Sequence, residues 1–396
     1  MSEPPPGAGL ALEQFPAALR EVIGLLSVED RDDAPAWLVG GAVRDVLGRE
    51  TPDELDLAVP AGALAWGRRL ADRLHSTFII LDEARGVCRL AGPVQIDLAD
   101  FRAPTIERDL GARDFTVNAL AVPLRALAAG GHVRVTDPGG GLADLAARRV
   151  RLCAPGALAD DPVRILRAVR LASRPRWQLD AGVAPAARAA APALAGVAAE
   201  RVRDELGAML EGHQTGQGLR LLDGLGALAV LLPESQAMRA TAQPEPHQFD
   251  VWEHSLRTVE GADAVLAAPA ADFAPELLAH LDEDLGDGLT RRATLKLAAL
   301  LHDVAKPETR TESEGRVRFI GHDVIGAARA IASSATWTPS GRTCCSSPWR
   351  TPPPCAAIPH STSGGTSVAG CSGRSCRAPL KRRRWPRCLR FSAERT

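Results

Sequence analysis

Two acidic residues spaced for one face of a β-strand are the first chemical feature of this sequence. In the segment Asp53-Glu54-Leu55-Asp56-Leu57, residues two apart share a face of a strand, so Glu54 and Asp56 project together. Paired carboxylates can hold Mg²⁺, a hard cation that prefers oxygen ligands and accompanies triphosphates. We predict a magnesium site here, and the alternative is an exposed acidic strand edge.

A Gly-Gly turn lies directly before this acidic strand. Gly40 and Gly41 follow a short apolar run, and Arg44 and Asp45 lie in the first turn of a helical pattern. Paired glycines allow backbone N–H groups to approach a phosphate, and Arg44 can reach a phosphate oxygen. A Gly-Gly turn by itself is more often only a turn. Next to the paired carboxylates, it indicates nucleotide binding.

A second polar cluster lies at Arg113, Asp114 and Asn118. Asp114 and Asn118 are four residues apart and would share a helical face, so we predict a helix that begins near Asp114. The alternative is a plain helix N-terminus with an acidic residue in its first turn.

A carboxylate and a guanidinium three residues apart could read a nucleobase. Pro162 suits a helix start, with Asp161 as its N-cap, and Arg164, Arg167 and Arg170 repeat along one face. Cytosine and adenine each present an amine donor beside a ring-nitrogen acceptor, which matches a carboxylate beside a guanidinium. Uracil and guanine present a carbonyl there instead. The alternative is a capped surface helix with salt bridges.

In this order the motifs resemble those of class II tRNA nucleotidyltransferases and bacterial poly(A) polymerases, which belong to the polymerase-β-like nucleotidyltransferase superfamily. The resemblance implies that Glu54 and Asp56 bind two Mg²⁺ ions and activate the 3′-hydroxyl of a tRNA for attack on CTP or ATP. It also implies a nucleotide site formed by Gly40, Gly41, Arg44, Asp45, Arg113, Asp114, Asn118, Asp161, Arg164, Arg167 and Arg170.

The sequence departs from the family pattern at two points. Glu54 stands where the family usually has Asp, which keeps the charge but lengthens the side chain by one methylene. We therefore expect metal binding to be retained but weakened. Only a short stretch joins Phe101-Arg102 to Arg113, where enzymes that add all of CCA usually carry a longer flexible loop. A short loop resembles CC-adding enzymes, and the competing interpretation is a short-loop branch that still adds A.

A second chemical constellation follows at His254, His302-Asp303 and His322. This spacing resembles the HD phosphohydrolase superfamily, whose His and Asp side chains bind divalent metals and hydrolyse phosphoesters. It implies a second metal site at these four residues. That family closes its site with a later Asp, and no Asp follows Asp323. The alternative is therefore a helical scaffold for tRNA without a competent metal site.

The elements that would position these residues have an α+β pattern. We predict an N-terminal segment (1–30), a polymerase-β-like head with a mixed sheet (31–150), an all-helical neck that reads the base and binds RNA (151–240) and an incomplete HD-type helical domain (245–333). The predicted strands are Trp37–Val39, Leu55–Val59, Thr77–Leu81, Val87–Ala91, Val94–Phe101 and Val133–Thr136. Helices are predicted at Ala42–Leu47, at Ala63–Leu74 and from Asp114 onward.

Composition limits the remaining possibilities. The 396 residues are 45% hydrophobic, yet no run approaches 18 apolar residues, so we expect no membrane-spanning helix. The N-terminus has no secretory pattern, and we expect a cytoplasmic protein. Residues 334–396 carry six of the eight Cys and a net charge of +10, against −11 for residues 1–333. This segment is interpreted as an aberrant or disordered basic tail, such as the product of a shifted reading frame, with a basic RNA-binding arm as the alternative.

Together these patterns predict a Mg²⁺-dependent, template-independent nucleotidyltransferase that adds C, A or both to tRNA 3′ ends and releases pyrophosphate. A poly(A) polymerase shares the same motifs. An HD-type phosphohydrolase and a noncatalytic RNA-binding protein are the alternatives from other functional classes.

Overall fold

The structure is a computed structural model that describes residues 9–29, 35–267, 275–286 and 289–336. The tail predicted for residues 334–396 lies, from residue 337 onward, outside the described residues. Among the residues described, every helix is too short or too polar to cross a bilayer.

A six-stranded mixed sheet forms the centre of the N-terminal half. Its strands are β2 (Trp37–Val39), β3 (Glu54–Val59), β4 (Thr77–Asp82), β5 (Val87–Ala91), β6 (Gln95–Asp100) and β7 (Ala121–Pro123). They lie in the order β4-β5-β6-β3-β2-β7, in which β3 and β6 are parallel and the other neighbours are antiparallel. The prediction of a mixed sheet is confirmed. Strand β3 lies near the middle of the sheet and carries the acidic pair, Glu54 and Asp56, at its N-terminal end.

Three short strand pairs stand outside this sheet. They are β1 (Gly9–Leu10) with β8 (Val133–Arg134), β9 (Arg149–Val150) with β10 (Gln178–Leu179), and β11 (Arg310–Ser313) with β12 (Arg316–Phe319). The first pair attaches the N-terminal segment to the head. The second joins the end of the head to the helical region, because β9 and β10 come from either side of that boundary.

Helices cover the sheet and make up most of the C-terminal half. Those of the head are α1 (Ala17–Val28), α2 (Gly41–Leu47), α3 (Ala63–Leu74), α4 (Ile106–Gly111), α5 (Leu124–Ala128) and α6 (Gly141–Ala146). The next seven are α7 (Ala157–Asp160), α8 (Arg164–Ala172), α9 (Val183–Ala190), α10 (Ala199–Glu211), α11 (Thr215–Gly224), α12 (Ala227–Leu231) and α13 (Glu234–Arg239). The last are α14 (Val251–Leu266), α15 (Pro275–Leu281), α16 (Arg291–Leu301), α17 (Lys306–Thr309) and α18 (His322–Thr336).

Two large apolar cores hold these layers together. One lies on the sheet and includes Leu19, Ile23 and Leu26 of α1, so the N-terminal segment packs as part of the head. The other runs through the helical half, where Met209 of α10 and Leu300 of α16 belong to the same cluster. Burial of apolar area is the main favourable contribution to folding, so the neck helices and the last helices are stabilised by one continuous core.

The prediction of a helix that starts near Asp114 is wrong. Phe115 is fully buried in extended conformation, and only a 3₁₀ turn follows at Thr116–Asn118. The chain is held out of the helix because Thr116 N–H donates to Arg151 O and Cys153 N–H donates to Asp114 O. This pairing with a distant segment overrides the local preference.

Candidate active site

The Gly-Gly turn lies directly over the acidic strand. Gly40 has a φ of 72°, a left-handed value that favours glycine, and a Cβ there would lie 2.7 Å from Asp56 Oδ2. The backbone N–H of Gly41 donates to the Asp56 carboxylate. A side chain at position 40 would therefore be strained by the φ and would crowd the Asp56 carboxylate, which explains the glycine and shows that the turn and the strand meet.

Three carboxylates converge at this point. Glu54 and Asp56 lie two apart in β3 and share a face, and Asp97 lies opposite Asp56 in the register with β6. Glu54 is exposed, and its Oε2 accepts from Gln95 Nε2 at 2.6 Å. Asp97 is neutralised by Arg89, which donates to both of its oxygens at 2.7 and 2.8 Å.

The charge on Asp56 is poorly compensated. Burial, followed by the nearby charges of Glu54 and Asp97, raises the pKa of Asp56 to about 6. Arg113 and the Gly41 N–H only partly offset these effects. A half-buried carboxylate beside a second acidic side chain fits a divalent cation, which would supply the missing positive charge.

A polar network connects the turn to the second cluster. Arg44 is buried, and its guanidinium donates to both oxygens of Asp45 and, at 2.6 Å, to Asn118 Oδ1. The Asn118 side-chain amide donates to Asp114 Oδ1 at 3.2 Å. Asp114 and Asn118 thus face each other as predicted, although a 3₁₀ turn and not an α-helix brings them together. Arg174 also contacts Asp45, at 3.3 Å.

Arg167 joins the head to the neck, and Arg170 shares its acceptor Glu205. Arg167 donates to Asp114 Oδ2 at 2.9 Å and to Glu205 Oε1 at 2.7 Å, and Arg170 donates to Glu205 Oε2 at 2.9 Å. Burial alone would raise the pKa values of Asp114 and Glu205, but the arginines outweigh it and both pKa values are lowered. These arginines share one helical face, as predicted, and that face is occupied by carboxylates of the protein.

The predicted base-reading pair is present, but a third residue contacts it. Helix α8 begins at Arg164, and the Asp161 side chain does not cap it. Asp161 instead accepts from Arg201 of α10 through both oxygens, at 2.7 and 3.1 Å. Arg164 Nε lies 3.8 Å from Asp161 Oδ2, and Arg164 Nη1 donates to Ala157 O at 3.1 Å. The carboxylate and the guanidinium are therefore adjacent and part-exposed.

Arg113 lies at the edge of the carboxylate cluster. Its guanidinium donates through Nε and Nη2 to Asp109 Oδ2, at 3.1 and 3.0 Å. Its charge opposes the rise in the pKa of Asp56, so the guanidinium lies within electrostatic range of the acidic pair. Arg113 thus adds a guanidinium group beside the carboxylates of Glu54 and Asp56.

A second cluster forms in the C-terminal helices. The Nδ1 atoms of His302 and His322 lie 2.9 and 2.6 Å from the carbonyl oxygens of Ala299 and Phe319. Because a carbonyl oxygen only accepts, each Nδ1 carries a proton, and each Nε2 faces Asp303 and can bind a metal once it carries no proton. This arrangement orients imidazoles for a metal.

The three imidazoles surround one buried carboxylate. Asp303 oxygens lie 3.1 Å from His302 Nε2 and 3.5 Å from both His254 Nε2 and His322 Nε2. Burial would raise the pKa of Asp303, but hydrogen bonds from His302 and Lys306 outweigh it and bring the pKa to about 2. His254, His302 and Asp303 each offer an atom within 4.8 Å of the others, and this N/O donor set fits a divalent metal.

Several residues at these sites escaped the sequence analysis. They are Asp97, Asp109 and Lys306. Strand β6, which carries Asp97, shows the same alternation of polar and apolar residues that indicated Glu54 and Asp56. Asp97 could therefore have been predicted from this pattern. Asp109 lies four residues before Arg113, and an acidic and a basic residue at that spacing could have indicated the pair.

Three family models match successive parts of the chain. The model of the poly A polymerase head domain matches residues 36–151, and a model described as the probable RNA and SrmB-binding site of polymerase A matches residues 178–238. The HD domain model matches residues 251–335. The chain belongs to the class II CCA-adding enzyme and poly(A) polymerase family, with these three domains in this order, as the motifs predicted.

Two curated relatives give the extent of the similarity. A CC-adding tRNA nucleotidyltransferase of Geobacter sulfurreducens is 37% identical over 277 residues, which are 69% of this chain and 60% of that protein. An A-adding tRNA nucleotidyltransferase of Deinococcus radiodurans is 37% identical over 300 residues, 74% of this chain and 62% of that protein. The chain thus spans about three fifths of the length of these relatives.

A solved structure supports the same fold. A tRNA nucleotidyltransferase complexed with a primer tRNA and an incoming ATP analog superimposes with a TM-score of 0.52 and 25% identity, covering 70% of this chain and 75% of that one.

Proposed function

We propose that this chain transfers nucleotides from CTP, ATP or both to the 3′ end of tRNA. The observation that carries the proposal is the contact between the Gly40-Gly41 turn and Asp56, with Glu54 and Asp97 beside it. The two relatives that are 37% identical are named for CC addition and A addition to tRNA. Their names support tRNA as the substrate and leave open whether C or A is added.

In this proposal Glu54 and Asp56 hold magnesium at the acidic end of the pocket. Magnesium bound there supplies Lewis acidity that lowers the pKa of the tRNA 3′-hydroxyl and neutralises charge on the triphosphate. The 3′-oxygen loses its proton to solvent and forms a bond to the α-phosphorus, and the bond to the pyrophosphate leaving group breaks. Asp56 must be ionised for this role, so its raised pKa predicts that metal binding weakens as the pH falls towards 6.

The remaining residues hold and select the nucleotide. Arg113 contacts the triphosphate, while Asp114 and Asn118 face the ribose. Asp161 accepts from the exocyclic amine of cytosine or adenine, and Arg164 donates to the ring nitrogen. Asp161 can do this while it is held by Arg201, because a carboxylate offers about four acceptor sites.

Arg44, Asp45, Arg167 and Arg170 are assigned a supporting part in the nucleotide site. Their charged groups contact other side chains of the protein, which favours a role in fixing the pocket over direct contact with the nucleotide.

The test uses three tRNA transcripts that end at the discriminator base, after the first C and after both Cs. Each is incubated with CTP, with ATP or with both, and the products are sized on a gel. Addition of C alone to the first two transcripts supports CC addition, and addition of A only to the third supports A addition. Exclusive tailing of unrelated RNA with ATP would instead identify a poly(A) polymerase and contradict the proposal.

Arg164→Ala is expected to relax nucleotide choice. Loss of a charge-assisted hydrogen bond to the ring nitrogen should reduce the preference for CTP over UTP by roughly tenfold to a hundredfold. The measurement is kcat/KM for each nucleotide on the same tRNA. Arg188→Ala is the matched control, because Arg188 also donates to a main-chain carbonyl, that of Gly224, and should leave the preference unchanged. An unaltered preference in Arg164→Ala would remove its base-reading role.

A second candidate function is metal-dependent hydrolysis of a phosphoester at the HD site. The convergence of His254, His302 and His322 on Asp303 favours it. Phosphatase activity that survives Asp56→Asn but not Asp303→Asn would support it. Absence of such activity from a parent protein that binds metal at this site would favour a scaffolding role.

Asp303→Asn is expected to weaken Mn²⁺ binding at the HD site by more than about a hundredfold, because it removes the one anionic ligand of the group formed by His254, His302 and Asp303. Titration calorimetry should show two classes of Mn²⁺ site in the parent, of which Asp303→Asn loses one and Asp56→Asn the other. The control is His132→Gln, an exposed histidine of the head. Unchanged Mn²⁺ affinity in Asp303→Asn would refute the metal site.

A further inference from the structure

The connection between β6 and Arg113 is short and fixed at both ends. Strand β6 ends at Asp100, α4 begins at Ile106, and only five residues lie between them. Phe101 N–H donates to Val59 O at 2.7 Å, which continues the sheet by one residue. At the other end Thr105 caps α4, accepting from the Arg108 N–H.

A single buried carboxylate ties this connection to Arg113. Asp109 lies in α4 and is 1% exposed. Its Oδ1 accepts from the backbone N–H of Arg102 at 2.9 Å, and its Oδ2 accepts from both Nε and Nη2 of Arg113. The end of the strand and the guanidinium are therefore bound by the two oxygens of one side chain.

The arginines around this connection outnumber the carboxylates that form ion pairs with them. The Arg102 side chain forms no ion pair with any residue in the described ranges. Burial and the charges of Arg113 and Arg164 hold the pKa of Arg102 below its usual value. Arg113 acts in turn on Asp56, at the acidic end of the pocket. A polyanion placed between Asp56 and Arg164 would supply the missing negative charge.

We propose that Asp109 is a positioning residue that orients Arg113 towards the triphosphate of the incoming nucleotide, with Arg102 as a second phosphate contact. The proposal rests on the proposed function. A buried carboxylate that accepts two hydrogen bonds from one guanidinium removes the rotamer freedom of a long side chain before the nucleotide arrives. Asp109 also fixes the position of Arg113 relative to the sheet that carries Glu54 and Asp56, because its other oxygen accepts a hydrogen bond from the backbone just after β6.

The test compares the binding of CTP and CMP to the full chain by titration calorimetry with Mg²⁺ present. Asp109→Asn keeps the shape of the side chain and an oxygen for the Arg102 N–H, but its amide nitrogen cannot accept from Arg113. We expect CTP affinity to fall by roughly tenfold to a hundredfold, while CMP affinity changes by less than about twofold. The KM for CTP should rise in parallel and the KM for tRNA should not change.

Two further variants separate positioning from damage to the fold. Asp263→Asn is the matched control, because Asp263 is a buried carboxylate that pairs with Lys296 in the helical half, and it should leave CTP binding unchanged. Arg113→Lys changes the other partner of the same contact. Because the Arg113 side chain is 14% exposed, this variant tests the proposal even where Asp109→Asn fails to fold. It should produce the same selective loss for CTP, because a lysine cannot donate in the same two-pronged way.

A double variant completes the test. If Asp109 acts through Arg113, then Asp109→Asn should cause no further loss of CTP affinity once Arg113→Ala is present. Additive losses, or equal losses for CTP and CMP, would overturn the proposal. A parent protein that binds CTP through this pair but transfers nothing to tRNA would contradict the proposed function and leave the role of Asp109 intact.

Discussion

Asp56→Asn is expected to abolish nucleotide transfer and to stabilise the metal-free protein. Several kcal/mol of metal-dependent stabilisation of the transition state depend on this carboxylate, so the rate should fall by about a thousandfold or more. The same substitution removes a buried charge whose pKa is raised to about 6 by burial, Glu54 and Asp97. Function and stability should therefore change in opposite directions.

The sign of the stability effect follows from the pKa. Above about pH 6 the folded parent carries the full cost of ionising Asp56, and the variant should be more stable by about 2–3 kcal/mol. As the pH falls through 6 towards the ordinary value of 3.8, the folded parent is protonated and this difference should disappear. Urea unfolding without metal at pH 8 and pH 5 measures it.

Magnesium and a neighbouring residue provide the controls for this prediction. Mg²⁺ should stabilise the parent more than Asp56→Asn, because only the parent keeps the ligand at the head site. Asp97→Asn, one strand away, should instead destabilise the protein, since it breaks the two-pronged contact with Arg89. Equal stability of the parent and Asp56→Asn at pH 8 would contradict an uncompensated charge at this position.

Glu205→Gln is expected to destabilise the protein by about 3 kcal/mol. Glu205 is 8% exposed and accepts from both Arg167 and Arg170, so its loss leaves two half-buried guanidinium groups without a charged acceptor on α10. The pKa of Glu205 is lowered in the folded state, because the two arginines outweigh its burial. Its contribution should therefore be complete above pH 4.5 and be lost as the pH falls below that value.

Chemical unfolding at pH 7 and at pH 4 measures this contribution. Glu260→Gln is the matched control, because Glu260 contacts Arg220 in a similar way but is 39% exposed, and it should cost less than about 1 kcal/mol. A Glu205 variant as stable as the Glu260 variant would show that the link between Asp114, Arg167 and the neck adds little to the fold.

The sequence predicted five of the six strands of the sheet, because these strands carry their pattern locally. It missed β7 (Ala121–Pro123), and the strand predicted at Val133–Thr136 corresponds to β8, which pairs outside this sheet. The alternation from Glu54 to Val59 and the run from Val87 to Ala91 each reveal a strand within a residue of its ends. Glu54 and Asp56 could be placed on one face by the same period of two. The segment after Asp114 was misread because the spacing of Asp114 and Asn118 suits a helix, while hydrogen bonds to Arg151 and Cys153 hold the chain extended.

The partners of the site residues could not be predicted from spacing. Arg201 contacts Asp161 from 40 residues away, and Glu205 contacts Arg167 from 38 residues away. Such pairs form because α8 and α10 pack against each other, which depends on the whole helical core. The expectation that Asp161 caps α8 failed for this reason, since the carboxylate gains more from a guanidinium than from a backbone N–H.

The most direct test of the account is single-turnover transfer from α-phosphate-labelled CTP to a tRNA that lacks its CCA end. The account predicts Mg²⁺-dependent labelling of the tRNA by the parent and by Asp303→Asn, with the rate reduced by about a thousandfold or more in Asp56→Asn. Labelling at the parent's rate by Asp56→Asn would contradict the claim that the carboxylates under the Gly40-Gly41 turn carry the reaction.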